Sequence, residues 1–162
     1  MSGLLHTILG FFNRDLTGKT WVSRQNHPYF GAIVYFGSQD PAQGYWEAEV
    51  AVPGMEKIIG VTMKGTAEGP EPSEEAFCRT ALSDPDALFE KCRSAFLPVF
   101  TTWAKQTLPK DWRQSFVLDG FDIPVDGNPS MPWSVCYFVE PAGHYFTAEF
   151  VDGKVTNVRV DG

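Results

Sequence analysis

The residues whose types could do chemistry in this 162-residue chain are few: three histidines, three cysteines and a scatter of carboxylates. His144 stands in "GHYFTAEFVDGKV" (143–155), at the mouth of what reads as a β-hairpin, and Cys136 lies on the strand before it. Asp152-Gly153 is a type I′ hairpin dipeptide, so Val151 should face Lys154 and Phe150 should face Val155. Counting back through the turn at 140–143 sets Val139 opposite His144 and Cys136 opposite Thr147. At ~3.3 Å per residue, Cys136 and His144 are then about 10 Å apart along the ladder. A thiolate–imidazole pair needs roughly 3 Å. The dyad fails on spacing, and His144 reads as the start of a strand.

The remaining candidates are no stronger. No two histidines among His6, His27 and His144 are spaced for one metal, and none joins a cysteine at ligand spacing. "LTGKT" (16–20) has the tail of a phosphate-binding loop, but Asn13 stands where the pattern requires glycine. Asp122-Ile-Pro-Val-Asp126-Gly127 begins like a calcium loop, yet Pro124 and Trp133 occupy two of its ligand positions. Asp119, Asp122 and Asp126 would form a looser site or, more commonly, turns. The expectation is no catalytic group, no cofactor and no metal site.

One helix and three strands precede the acidic middle of the chain. Leu4, Leu5, Ile8, Leu9, Phe11 and Phe12 recur at helical spacing and predict an N-terminal helix within 1–14. A β-meander is expected over 28–64. It begins with "YFGAIVYFG" (29–37), apolar on both faces as in a central strand. "YWEAEVAV" (45–52) then sets Trp46, Ala48, Val50 and Val52 against Tyr45, Glu47 and Glu49. Pro53-Gly54 turns the chain into "KIIGVTMK" (57–64).

A helical segment follows over 73–106. Ser73 is the expected N-cap of a helix ending at Leu82, and Asp84-Pro85 opens a second. The second helix aligns Leu88, Cys92, Ala95, Phe96, Val99 and Trp103, with a kink or early end expected at Pro98. Strands at 115–119, 133–139, 144–151 and 154–160 complete the order α-βββ-αα-ββββ. The prediction is one α+β domain over 1–162, with about seven mostly antiparallel strands and two or three helices packed on them.

Composition narrows the functional classes. A formal charge of −7 argues against a nucleic-acid binder. Cys78, Cys92 and Cys136 form no CxxC pair and fit a reducing compartment. The N-terminal apolar run lacks a signal-peptide pattern and the ~20 apolar residues a membrane span needs. A cytoplasmic location and no membrane contact are therefore expected. Acids concentrate between Glu68 and Glu90, and Glu71, Glu74, Glu75 and Asp86 are the candidate partner-binding residues, as a solvated face or an electrostatic docking patch.

"WSVCYFV" (133–139), "GHYFTAEFVDGKV" and the closing Val160-Asp161-Gly162 resemble the end of uncharacterised bacterial single-domain proteins. In those, a strand with a Gly-His pair runs into an Asp-Gly turn and a final strand. Some such families look like immunity proteins that neutralise a toxin. The resemblance covers residues 133–162 and implies a rigid domain without a catalytic site, whose acidic face blocks a basic toxin. The expected function is thus a non-catalytic, immunity-type inhibitor acting through protein–protein contact. Two rivals are a small-ligand protein or enzyme with an aromatic pocket, its carboxylates drawn from Asp119, Asp122 or Glu140, and an assembly component or homo-oligomer docking through Leu4–Phe12.

Overall fold

Alternation of apolar and polar residues sets one long sheet. The computed structural model describes residues 21–162, so the helix expected over Leu4–Phe12, His6 and the 16–20 loop lie outside the described residues. Strands β1 (Trp21–His27), β2 (Gly31–Gly37), β3 (Tyr45–Ala51) and β4 (Ile58–Lys64) are followed by helices α1 (Pro72–Leu82) and α2 (Pro85–Ala104). Strands β5 (Phe116–Ile123), β6 (Trp133–Val139), β7 (His144–Val151) and β8 (Lys154–Asp161) complete the chain. The eight strands form a single sheet in chain order. Every neighbouring pair is antiparallel except β4 and β5, which run parallel because the two helices carry the chain back across the sheet between them.

The α+β class and the meander hold, with one strand more than expected. The sequence reading passes over β1, "WVSRQNH", because its interior is polar and supplies little period-two signal. It is an edge strand held by its ladder: its residues pair with β2 from Trp21 opposite Gly37 to His27 opposite Gly31. β2 is consequently second from the edge rather than central. Its Ile33 and Tyr35 are buried, while Val34 and Phe36 on the other side are only half-buried.

Local chemistry explains the helix ends. Asp84 caps α2, its carboxylate accepting from the Ala87 N–H at 3.0 Å, with Pro85 in the first turn as expected. α1 starts earlier than the expected Ser73 cap. Glu71 is the N-cap and Pro72 the first residue, and the Glu71 N–H donates to the Glu74 carboxylate at 2.9 Å. Pro98 does not end α2, which runs on to Ala104. Pro98 and Ser94 both face solvent, so water can satisfy the Ser94 carbonyl that proline leaves without a donor.

The core lies on the face that carries both helices. Phe89, Phe96 and Phe100 from α2 meet Phe116, Tyr137 and Phe146 from the sheet, with ring centroids 4.9–6.0 Å apart, and all six are buried. Phe77 of α1 packs edge-on to Trp133 at 5.3 Å, and Trp133 stacks on Phe150 at 3.9 Å. Stripes at helical spacing on α2 and alternate positions on β5–β7 thus bury each other, the largest favourable contribution to the fold. The opposite face bears no helix among the described residues. Val34, Phe36, Glu47, Phe138 and Tyr145 there remain half-buried.

Candidate functional site

The two groups of the tempting dyad are placed on opposite sides of the sheet. Val139 pairs with His144 and Cys136 with Thr147, as the hairpin arithmetic requires. His144 lies on the helix-bearing face, its ring edge-on to Trp103 of α2 at 4.6 Å. Cys136 alternates onto the helix-free face, and burial pushes its thiol up to about 11, so it is not a thiolate at neutral pH. Cys78 and Cys92 are buried in the core, and burial raises them to about 11 and about 12. His27 anchors a turn: its Nδ1 accepts from the Tyr29 and Phe30 N–H groups at 3.2 and 3.3 Å, and its Nε2 lies 3.8 Å from Glu75.

The aspartates also do structural duty. Asp119 sits at the β5 bulge and pairs with Lys57. Asp122 accepts the Ser134 hydroxyl at 2.6 Å. Asp126 and Gly127 have φ of 56° and 62° and form a tight turn beneath the start of α1. A Cβ at Gly127 would strike the Ser73 backbone, which explains the glycine in the calcium-like stretch. Glu140 is exposed in the β6–β7 turn. No cluster of three potential metal ligands forms among the described residues.

The four candidate docking acids are not gathered into one free patch. Glu74 is 1% exposed, closing the N-terminus of α1 with its carboxyl pushed up chiefly by burial. Glu75 pairs with Arg79 at 2.6 Å. Asp86 pairs with Arg113 and accepts the Trp112 indole N–H at 2.7 Å, and these bonds hold its carboxyl below the usual range. Glu71 is exposed.

A different place has the form of a site. On the helix-free face, a cavity of about 670 Å3 lies over β1, β2 and β3. Its walls include Val22 and Arg24 from β1, Val34 and Phe36 from β2, and Glu47 and Glu49 from β3. The register brings these together, because Val22 pairs with Phe36, Arg24 with Val34 and Val34 with Glu47. Each of these residues therefore points to the same side.

Glu47 is the group there without a structural task. Burial pushes its carboxyl up to about 7, so it titrates near neutrality. No hydrogen bond or ion pair joins its carboxylate to another described residue. The neighbouring Tyr45 hydroxyl is pushed up first by burial and then by the Glu47 charge. The formal charge of the lining swings with one proton: Arg24 and Glu49 cancel, and Glu47 adds either nothing or −1. The alternation of β3 puts Glu47 on the face opposite Trp46. The cavity itself could not be read, because it needs β1 and a register spanning three strands.

Comparison with protein-family models, with curated proteins and with solved structures finds no match to this chain. No helix among the described residues is long and apolar enough to cross a membrane.

Proposed function

We propose that this protein binds a small amphipathic molecule in the cavity over β1–β3. The observation that supports this reading is the pairing of an apolar hollow of about 670 Å3 with an unpartnered, half-buried carboxylate. Small-molecule sites are commonly concave, roughly 300–1,000 Å3, mostly apolar, and fixed by a few polar groups. The protein's part is to desolvate the ligand against Val22, Val34 and Phe36 and to orient it by Glu47. In the full chain, the neutral dye Nile red should brighten on binding, and Val34→Phe, which fills the hollow from its floor, should abolish the increase. Equal dye binding by wild type and a folded Val34→Phe variant would remove the reading.

A second reading is the immunity-type inhibitor, favoured by the net charge of −7 and the acids carried on α1 and the start of α2. Because Glu74 is inside and Glu75 and Asp86 are paired, Glu71 is the residue on which that version now leans. A partner protein recovered from the source cells would be basic, would bind with one-to-one stoichiometry, and would be released by salt. If Glu71→Lys leaves its affinity unchanged at low salt, electrostatic docking on this surface is wrong.

A further inference from the structure

Building on the cavity as a binding site, we propose that its ligand is an organic monocation: a primary amine on an aromatic or branched aliphatic body, with Glu47 as counter-ion. Three observations converge on that class. Val22, Val34 and Phe36 offer apolar wall on the β1–β2 side, suited to a hydrocarbon body. Glu47 and Glu49 both project from β3, two residues apart and so on one side, about 7 Å from each other. Ionised carboxylates only accept hydrogen bonds, and an ammonium only donates them. Among the described residues that line the cavity, an anion would find a single cation, Arg24, two strands away from Glu47 and exposed to solvent. A neutral ligand brings no counter-charge, so it meets Glu47 either protonated or, as the carboxylate, uncompensated at a desolvation cost.

The charge balance adds a second signature. In the empty site burial favours the protonated Glu47, whereas an ammonium beside it favours the carboxylate. Binding below neutrality therefore expels a proton from Glu47, and affinity rises with pH until Glu47 is ionised in the free protein. Among the described residues, the groups facing Glu47 are Tyr45 and Glu49 on its own strand, Arg24 across the cavity and Lys64 on β4, diagonal to it and opposite Tyr45, while β2 and β4 present Val34 and Thr62 as its ladder neighbours. With Glu47 titrating at about 7, an alkylamine binding its ionised form should bind about tenfold more weakly at pH 6 than at pH 8.

The test is calorimetric titration of the full chain with 3-phenylpropylamine and its neutral analogue 3-phenylpropan-1-ol, at pH 6 and pH 8 in buffers of different ionisation enthalpy. The amine should bind at least about tenfold tighter than the alcohol at pH 8, and Glu47→Gln should remove that advantage while sparing the alcohol. Proton release at pH 6 should be seen with wild type and vanish in Glu47→Gln. The pH series on wild type carries the same information should the variant fail to fold. If amine and alcohol bind alike, or affinity does not change with pH, the monocation is wrong although the cavity still binds. If neither probe binds and Nile red is also excluded, the cavity is not a binding site and both readings fall.

Discussion

The two faces of the sheet are built from the same strands and to different ends. On the helix-bearing face, Phe116, Tyr137 and Phe146 are fully buried, and their rings lock into those of α2. On the other face, one row runs from Arg24 on β1 through Val34, Glu47, Thr62, Asp122, Ser134 and Glu149 to Asn157 on β8. At its β5–β8 end, the polar groups satisfy one another: Asp122 takes the Ser134 hydroxyl, and Asn157 reaches Glu149 at 2.9 Å. At its β1–β3 end, Glu47 has no such partner among the described residues. Packing accounts for one face and local hydrogen bonding for half of the other. The β1–β3 corner is what stability leaves unexplained, and such places are where functional groups are retained at a cost.

The largest expected effect lies on the covered face. Phe116 contacts Phe89, Phe96, Phe100 and Phe146 at once. Phe116→Ala should cost about 3–5 kcal/mol by urea unfolding, since the surrounding rings cannot all collapse into the space. A loss under about 1 kcal/mol would mean that α2 is not fixed to the sheet as described, and the contrast between the faces would go with it.

Much of that covered face was legible. Asp84-Pro85 and the stripe Leu88, Cys92 and Phe96 set the start and buried side of α2, because capping and periodicity are local. The β7–β8 hairpin followed from Asp152-Gly153, whose φ values of 52° and 70° are those the type I′ turn demands, and Phe150 does face Val155. The helix-free face was harder to read. β1 has a polar interior and gains its order from β2, a tertiary contact that no window of its own sequence reports. Glu71 displaced Ser73 as the cap of α1 because Pro72 and Glu74 complete a better N-terminus around it. The candidate site combines residues from three strands, so its half-buried carboxylate, Glu47, was visible only as one residue of an alternating strand.

The second prediction sharpens the comparison at the cavity. The folded-state value of Glu47, about 7, stands above its ordinary 4.5, so folding favours the protonated carboxyl. Its contribution is then fully present below pH 4.5, declines as pH rises, and is lost above about 7. Glu47→Gln removes that slope. At pH 8 the variant should be more stable than wild type by roughly 1–2 kcal/mol, after allowance for the solvent that still reaches a half-buried group. At pH 4 the two should unfold together. A variant less stable than wild type at pH 8 would show that Glu47 has a stabilising partner, and the argument for a site held at a cost would fail.

The smallest effect is expected at the far end of the same face. Arg159 on β8 bridges Glu149 at 3.1 Å and Asp161 at 2.7 Å, with all three side chains more than a third exposed. Exposed pairs of this kind contribute about 0–1 kcal/mol and weaken with salt. Arg159→Met should therefore shift the urea midpoint slightly at low salt and not at all at high salt. The cavity lies at the opposite edge of the sheet, so Nile red and amine binding should both be untouched. That pairing separates an open face whose two ends differ in kind from one that works as a single electrostatic surface. If Arg159→Met alters amine affinity as strongly as Glu47→Gln does, the ligand is responding to the summed charge of the face, and Glu47 is not its specific counter-ion.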